Sequence, residues 1–132
     1  MKLAGVFLAL PIIVAVAACK KSVSLRKGAV PLSGCRTEIF GNDQVKICYD
    51  SLVYESRCPE GMMCIWQGAA AGKFSFFINN NKHQLALCTL PIKPYAHDTI
   101  VGNYKIELLT IDPYPGVKDP PPASASVKIT KL

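Results

Sequence analysis

Histidine is scarce in this sequence, with only His83 and His97, and there is a single tryptophan, Trp66. His83 reads as a strand-start residue and His97 lies in the loop run KPYAHDTI. Neither belongs to a metal-ligand set or to a base with an orienting partner. No glycine-rich phosphate loop, nucleophile elbow or pair of facing acids stands out. No segment keeps a helical period over ten or more residues, which argues against a helical fold. No internal repeat is present. The expectation is therefore no catalytic residue, no metal site and no cofactor. Nucleic-acid binding fits poorly as well, because the formal charge of +6 is modest and is weighted toward the amino-terminal quarter of the chain.

What the chain does have begins at its first residues. MKLAGVFLALPIIVAVAA, residues 1–18, carries one lysine and then an uncharged apolar run ending in small side chains. It is too short and too poorly flanked for a stable membrane span and contains Pro11, so it has the layout of a secretory signal peptide. Val16-Ala17-Ala18-Cys19 resembles the lipobox of bacterial lipoproteins, small or aliphatic residues before an obligatory cysteine. The resemblance implies cleavage before Cys19 and acylation of its thiol and new amino group. Two or three acyl chains, each methylene contributing about 0.8 kcal/mol, form a lasting anchor.

Removing Lys2 with the leader lowers the formal charge to +5. Lys20, Lys21, Arg26 and Lys27 hold most of that excess, in a stretch read as a flexible, lipidated tether over residues 19–34. These cations suit either anionic headgroups or plain solubility. As a coil, such a tether would set a domain roughly 20 Å from the lipid surface. In resemblance to Gram-negative lipoproteins, Lys20 is not the aspartate that retains the protein at the inner membrane. That implies the outer membrane, on its periplasmic or surface side.

Residues 35–132 read as one β-domain. Val45, Ile47 and Tyr49 alternate with polar residues, then Leu52 and Tyr54 carry the apolar parity to the other face, which places a bulge near Asp50-Ser51. KFSFFIN aligns Phe74, Phe76 and Ile78, and the asparagines after it read as a hairpin turn. Leu85 and Leu87, then Tyr104, Ile106 and Leu108, then Val127 and Ile129 align in turn. Short strands in little more than a hundred residues predict an all-β fold, a small antiparallel sandwich or partly closed barrel stapled by disulfide. DPYPGVKDPPPASA, residues 112–125, cannot donate steadily to a ladder and reads as a stiff crossover to a final strand.

With Cys19 assigned, five cysteines remain, and export favours a disulfide. Cys58 and Cys64 bracket Pro59 and Gly61 in a tight reversal, and such a closed loop contributes roughly 2–2.5 kcal/mol. Copper(I) would suit Met62, Met63 and Cys64 by softness, but neighbours on an extended chain diverge and chelate poorly. A redox dithiol would need two intervening residues and a helix. The reading is a structural staple. Cys35, Cys48 and Cys88 leave three possible pairings and one single thiol, expected to be buried.

Glu55-Ser56-Arg57-Cys58-Pro59, followed by Cys64-Ile65-Trp66-Gln67-Gly68, resembles a motif of small, mostly uncharacterised bacterial lipoproteins and secreted proteins, which read Asp-Ser-Arg-Cys-Pro, a short gap, then Cys-x-Trp-Ala-Gly. Here Glu55 replaces the aspartate and Gln67 the alanine. The likeness extends loosely over residues 37–132 and implies a β-rich envelope domain, with no activity transferred. Two roles suit the motif. In one, Trp66 covers the sulfurs in a core corner, with Arg57 paired to Glu55 or lying over the indole. In the other, Arg57, Met62, Met63 and Trp66 form an exposed loop that docks a partner. The core corner is the preferred reading. At the level of function, the sequence points to a non-catalytic envelope lipoprotein, a binding or structural module with the membrane and an envelope protein as partners. The alternative is an inhibitor of an extracytoplasmic hydrolase, a lysozyme or protease, working through the Cys58–Cys64 loop. Exposure of Met63 and Trp66 discriminates the inhibitor: a buried loop cannot act as a wedge.

Overall fold

A computed structural model describes residues 28–132, so the signal peptide, Cys19 and the basic residues from Lys20 to Lys27 lie outside the described residues. Eight strands follow in order: β1 (Ala29–Pro31), β2 (Cys35–Phe40), β3 (Asp43–Glu55), β4 (Ala70–Ile78), β5 (Asn81–Cys88), β6 (Asp98–Val101), β7 (Tyr104–Asp112) and β8 (Ser124–Lys131). They form two four-stranded antiparallel sheets, ordered β1-β8-β7-β6 and β2-β3-β4-β5. The fold is all-β, with no helix among the described residues, and the sheets do not close into a barrel.

Period-two alternation sets the inner faces. Val45, Ile47 and Tyr49 of β3 and Phe74 and Phe76 of β4 meet Tyr104, Ile106 and Leu108 of β7 in one buried cluster. Fully burying one such aliphatic or aromatic side chain contributes about 1.5–3 kcal/mol before conformational entropy is counted. β3 shifts register against β4 twice, between Tyr49 and Ser51 and between Leu52 and Tyr54. The first shift is the bend expected near Asp50-Ser51. At the second bulge, Val53 joins a second small cluster with Ala69, Ala71, Leu90, Ile92 and Tyr95, and Cys88 is buried within it as the one free thiol among the described residues. The β4–β5 hairpin turns through Asn79 (φ +47°) and Asn80 (φ +72°), two consecutive left-handed residues as a type I′ turn requires. The Asn79 side chain accepts from the Gln44 backbone N–H at 2.9 Å and donates to Asp43 at 2.9 Å.

Two disulfides form, Cys58–Cys64 and Cys35–Cys48. The second joins directly opposed residues of β2 and β3. Closing its loop contributes roughly 3 kcal/mol by chain entropy.

Two expectations need correction. The tether does not run to Gly34. Ala29–Pro31 is a strand, paired with Ser124–Ser126 of β8, and Val30 is fully buried. An otherwise unpaired β8 edge supplies the partner, and Pro31 is tolerated because β1 is itself an edge strand. The proline-rich segment is not a crossover either. It links β7 to β8, which are antiparallel neighbours, so it is a long hairpin loop.

Polar bridges join the two sheets around the rim. At one end of β3 and β7, the Tyr104 hydroxyl donates to Asp43 at 2.6 Å. At the other end Arg57 donates to the Ile111 carbonyl at 2.6 Å. His97 reaches the Cys88 carbonyl and Glu107, each at 3.2 Å, and Arg36 donates to the Val127 carbonyl at 3.1 Å. His97, in the loop just before β6, is therefore a half-buried bridge. The Tyr104 hydrogen bond holds the Asp43 carboxyl below its usual range, aided by Asn79 and Lys131. The same bond pushes the Tyr104 phenol up to about 12.

Candidate functional site

The segment from Arg57 to Gly68 leaves the end of β3 and returns to β4, and its base is zipped by backbone. Ser56 N–H donates to the Ala69 carbonyl at 2.9 Å, and the Ser56 hydroxyl accepts from Ala69 N–H at 3.0 Å. Gly68 lies so close to this crossing that an added Cβ would stand 1.9 Å from the Ser56 carbonyl oxygen. That contact is the physical reason for glycine at this point of the motif. Further out, Met62 N–H donates to the Pro59 carbonyl at 3.1 Å, closing a turn with Gly61 at φ +82°. The Cys58–Cys64 disulfide then closes the loop.

Arg57 fixes this loop to the other sheet. Its Nε and Nη2 donate to the two Glu55 carboxylate oxygens at 2.8 and 2.7 Å, a bidentate pair. Nη1 donates to the Ile111 carbonyl and Nη2 also to the Pro113 carbonyl at 3.3 Å. The guanidinium lies 4.4 Å from the Tyr114 ring centroid, so its aromatic partner is that tyrosine, while its expected pairing with Glu55 is present. The β7–β8 loop supports the motif loop directly, since Glu60 N–H donates to the Pro115 carbonyl at 2.8 Å.

The outer surface of the loop is apolar. Met63 and Ile65 are fully exposed, Met62 is 64% and Trp66 57% exposed. The indole N–H donates to the Ser56 carbonyl at 3.1 Å, which orients the ring without burying it. The core-corner expectation is thus overturned for Trp66. Of the four candidate contact residues, Met62, Met63 and Trp66 stand at the surface, whereas Arg57 is buried and acts as an anchor. Two features escaped the sequence reading. Ile65 was a legible omission: Cys64 is tied inward by its disulfide, so both its neighbours diverge outward. The support from Pro113 to Pro115 had no local signal.

Beside the loop runs a groove of about 380 Å³, lined by Arg57, Gln67, Leu90, Leu109, Asp112 and Tyr114. Glu60 is the only charged side chain on the exposed part of the loop, because the Arg57 charge is matched by Glu55. Among the described residues no group of three or more His, Cys, Asp or Glu side chains converges to hold a metal ion. The arrangement can present a rigid, largely uncharged apolar projection. No family model, no curated protein and no solved structure matches this chain.

Proposed function

We propose that this protein is a non-catalytic binding module of the cell envelope, anchored at the outer membrane by acyl chains on Cys19, that docks a protein partner through the Cys58–Cys64 loop. One observation carries the docking reading. Met62, Met63, Ile65 and Trp66 are all exposed on a loop fixed by a disulfide, a backbone zipper and a buried arginine. Large apolar side chains on a rigid frame lose little entropy on association, which is what a recognition loop requires. Arg57 serves the same end indirectly, by holding the loop in place.

A photo-crosslinking residue placed at Ile65 in intact cells tests this reading. A discrete protein adduct is expected, and Met63→Asp should abolish it. An adduct pattern identical to that of the same probe placed at exposed Lys128 would overturn it. The anchor is tested by Cys19→Ser, which should lose acyl mass and leave the membrane fraction; unchanged fractionation defeats that part.

The full exposure of Met63 and Ile65 on a disulfide-closed loop favours a second reading as a hydrolase inhibitor, with both side chains entering the partner's cleft. Titration against lysozyme and a panel of serine proteases decides it. Absence of inhibition at micromolar protein sinks the inhibitor and leaves the binding module standing.

A further inference from the structure

The chain has three methionines, Met1, Met62 and Met63. The two beyond the leader are neighbours at the apex of the candidate docking loop. Met63 is fully exposed and Met62 is 64% exposed. The sulfur chemistry elsewhere among the described residues is closed off. Cys35–Cys48 and Cys58–Cys64 are disulfides, and Cys88, the remaining thiol, is fully buried. Accessible, oxidisable sulfur is therefore concentrated at one point of the domain surface, on two of the four side chains that give the loop its apolar character.

We propose that Met62 and Met63 form an oxidative modification site that switches this surface from apolar to polar. The inference rests on the docking reading for its consequence, though not for its chemistry. The oxidant is a peroxide. A thioether lone pair attacks one peroxide oxygen, the O–O bond breaks and a sulfur–oxygen bond forms. Sulfur loses two electrons, and the departing hydroxide takes up the proton of the transferred oxygen, leaving the sulfoxide and water. The product sulfoxide is polar and chiral where the thioether was apolar. The frame has no reason to fail, because the Met63 side chain supports no buried contact and the loop is held by Arg57, the Ser56–Ala69 zipper and the disulfide. This differs from oxidation of a core methionine, which disrupts packing. The same exposure leaves the sulfoxide open to a thiol-dependent methionine sulfoxide reductase, so the change is reversible.

The test treats the purified mature chain, residues 19–132 carrying Cys19→Ser so that neither Met1 nor an acyl chain contributes, with hydrogen peroxide and maps the products by peptide mass. One added oxygen is expected first on Met63, then on Met62, with Cys88 unmodified and the far-ultraviolet circular dichroism unchanged. Retention on a phenyl matrix reads the surface without any partner, and the Ile65 crosslink in cells reads docking. Oxidation should shorten retention and lower adduct yield about tenfold in the native protein. The Met62→Leu/Met63→Leu variant, apolar but not oxidisable, should keep both. Unchanged retention after full oxidation, equal loss in the leucine variant, or unfolding on oxidation would each overturn the proposal. Absence of an adduct from the untreated protein defeats the docking reading, while the phenyl-matrix arm still decides this one.

Discussion

Replacing Arg57 by methionine keeps much of the side chain's volume and removes every polar contact it makes. Those contacts are the bidentate pair with Glu55 at 2.8 and 2.7 Å, the 2.6 Å bond to the Ile111 carbonyl and the longer one to Pro113. Removing one member of a fully buried ion pair costs about 3–5 kcal/mol, because the other charge is stranded. Here the Arg57 side chain is 5% exposed but Glu55 is 29% exposed, so water can rehydrate the carboxylate and the cost falls below the upper figure. The carbonyl of buried Ile111 gains no such relief, and an orphaned buried acceptor costs about 1–3 kcal/mol. The net expectation for Arg57→Met is about 3 kcal/mol, a large share of the 5–15 kcal/mol typical of a domain. Urea unfolding under non-reducing conditions measures it, with an expected midpoint shift of about 1–3 M. Trp66 fluorescence, followed alongside circular dichroism, reports whether the loop loosens before the sheets. Since the apolar surface residues are untouched, docking should weaken through lost order alone. A loss below about 1 kcal/mol would refute the claim that this arginine holds the loop to the second sheet.

Gly68→Ala drives a methyl group into the Ser56 backbone and should cost about 1–3 kcal/mol or more, read as a lower melting temperature; an unchanged transition would mean the crossing is not as tight as described. Opening the loop with Cys58→Ser/Cys64→Ser should remove about 2–2.5 kcal/mol, and non-reducing peptide mapping of the parent should recover Cys58 linked to Cys64 and Cys35 linked to Cys48. Recovery of Cys88 in either bridge would contradict the buried free thiol. Stability should also depend on pH through the Tyr104–Asp43 bond. The Tyr104 phenol titrates higher folded than unfolded, so its contribution is complete below pH 10 and is lost as pH rises toward about 12. Burial raises the Tyr49 phenol too and adds to the same alkaline limb. The Asp43 carboxyl titrates lower folded than unfolded, so its contribution holds above the ordinary carboxylate range and fades as pH falls through it. Tyr104→Phe should flatten both limbs in a pH series of urea midpoints, and curves of unchanged shape would refute the assignment.

Which features were legible in the sequence follows from how local their causes are. The alternation of Val45, Ile47 and Tyr49, the bulge near Asp50-Ser51 and the Asn79-Asn80 turn each depend on neighbouring residues, and each is found in the structure, whereas Leu52 and Tyr54 beyond the bulge are exposed. The Cys58–Cys64 pair was also local, set by a short loop with proline and glycine inside it. Choosing Cys35–Cys48 over its rivals was not, because it needs the register of β2 against β3, and one residue of slip would turn the pair apart. Strand β1 was illegible for a stronger reason. Residues 28–34 read as linker by composition, and only the distant β8 edge gives Val30 a place to be buried.

The inversion of Arg57 and Trp66 is the most informative miss. Ordinary preference puts an arginine outside and a tryptophan largely inside. Arg57 goes inside because Glu55 lies two residues away and the Ile111 and Pro113 carbonyls arrive from the far end of β7, a convergence that no local pattern announces. Among the described residues Trp66 has one polar partner, the Ser56 carbonyl, and nothing folds over its exposed face. The two facts are linked. Because a buried polar anchor and a disulfide hold the loop, its shape does not depend on hiding its own apolar side chains. Met62, Met63, Ile65 and Trp66 are thereby left at the surface on a fixed frame, and the arginine expected to be a contact residue is instead the reason that contact residues can be displayed.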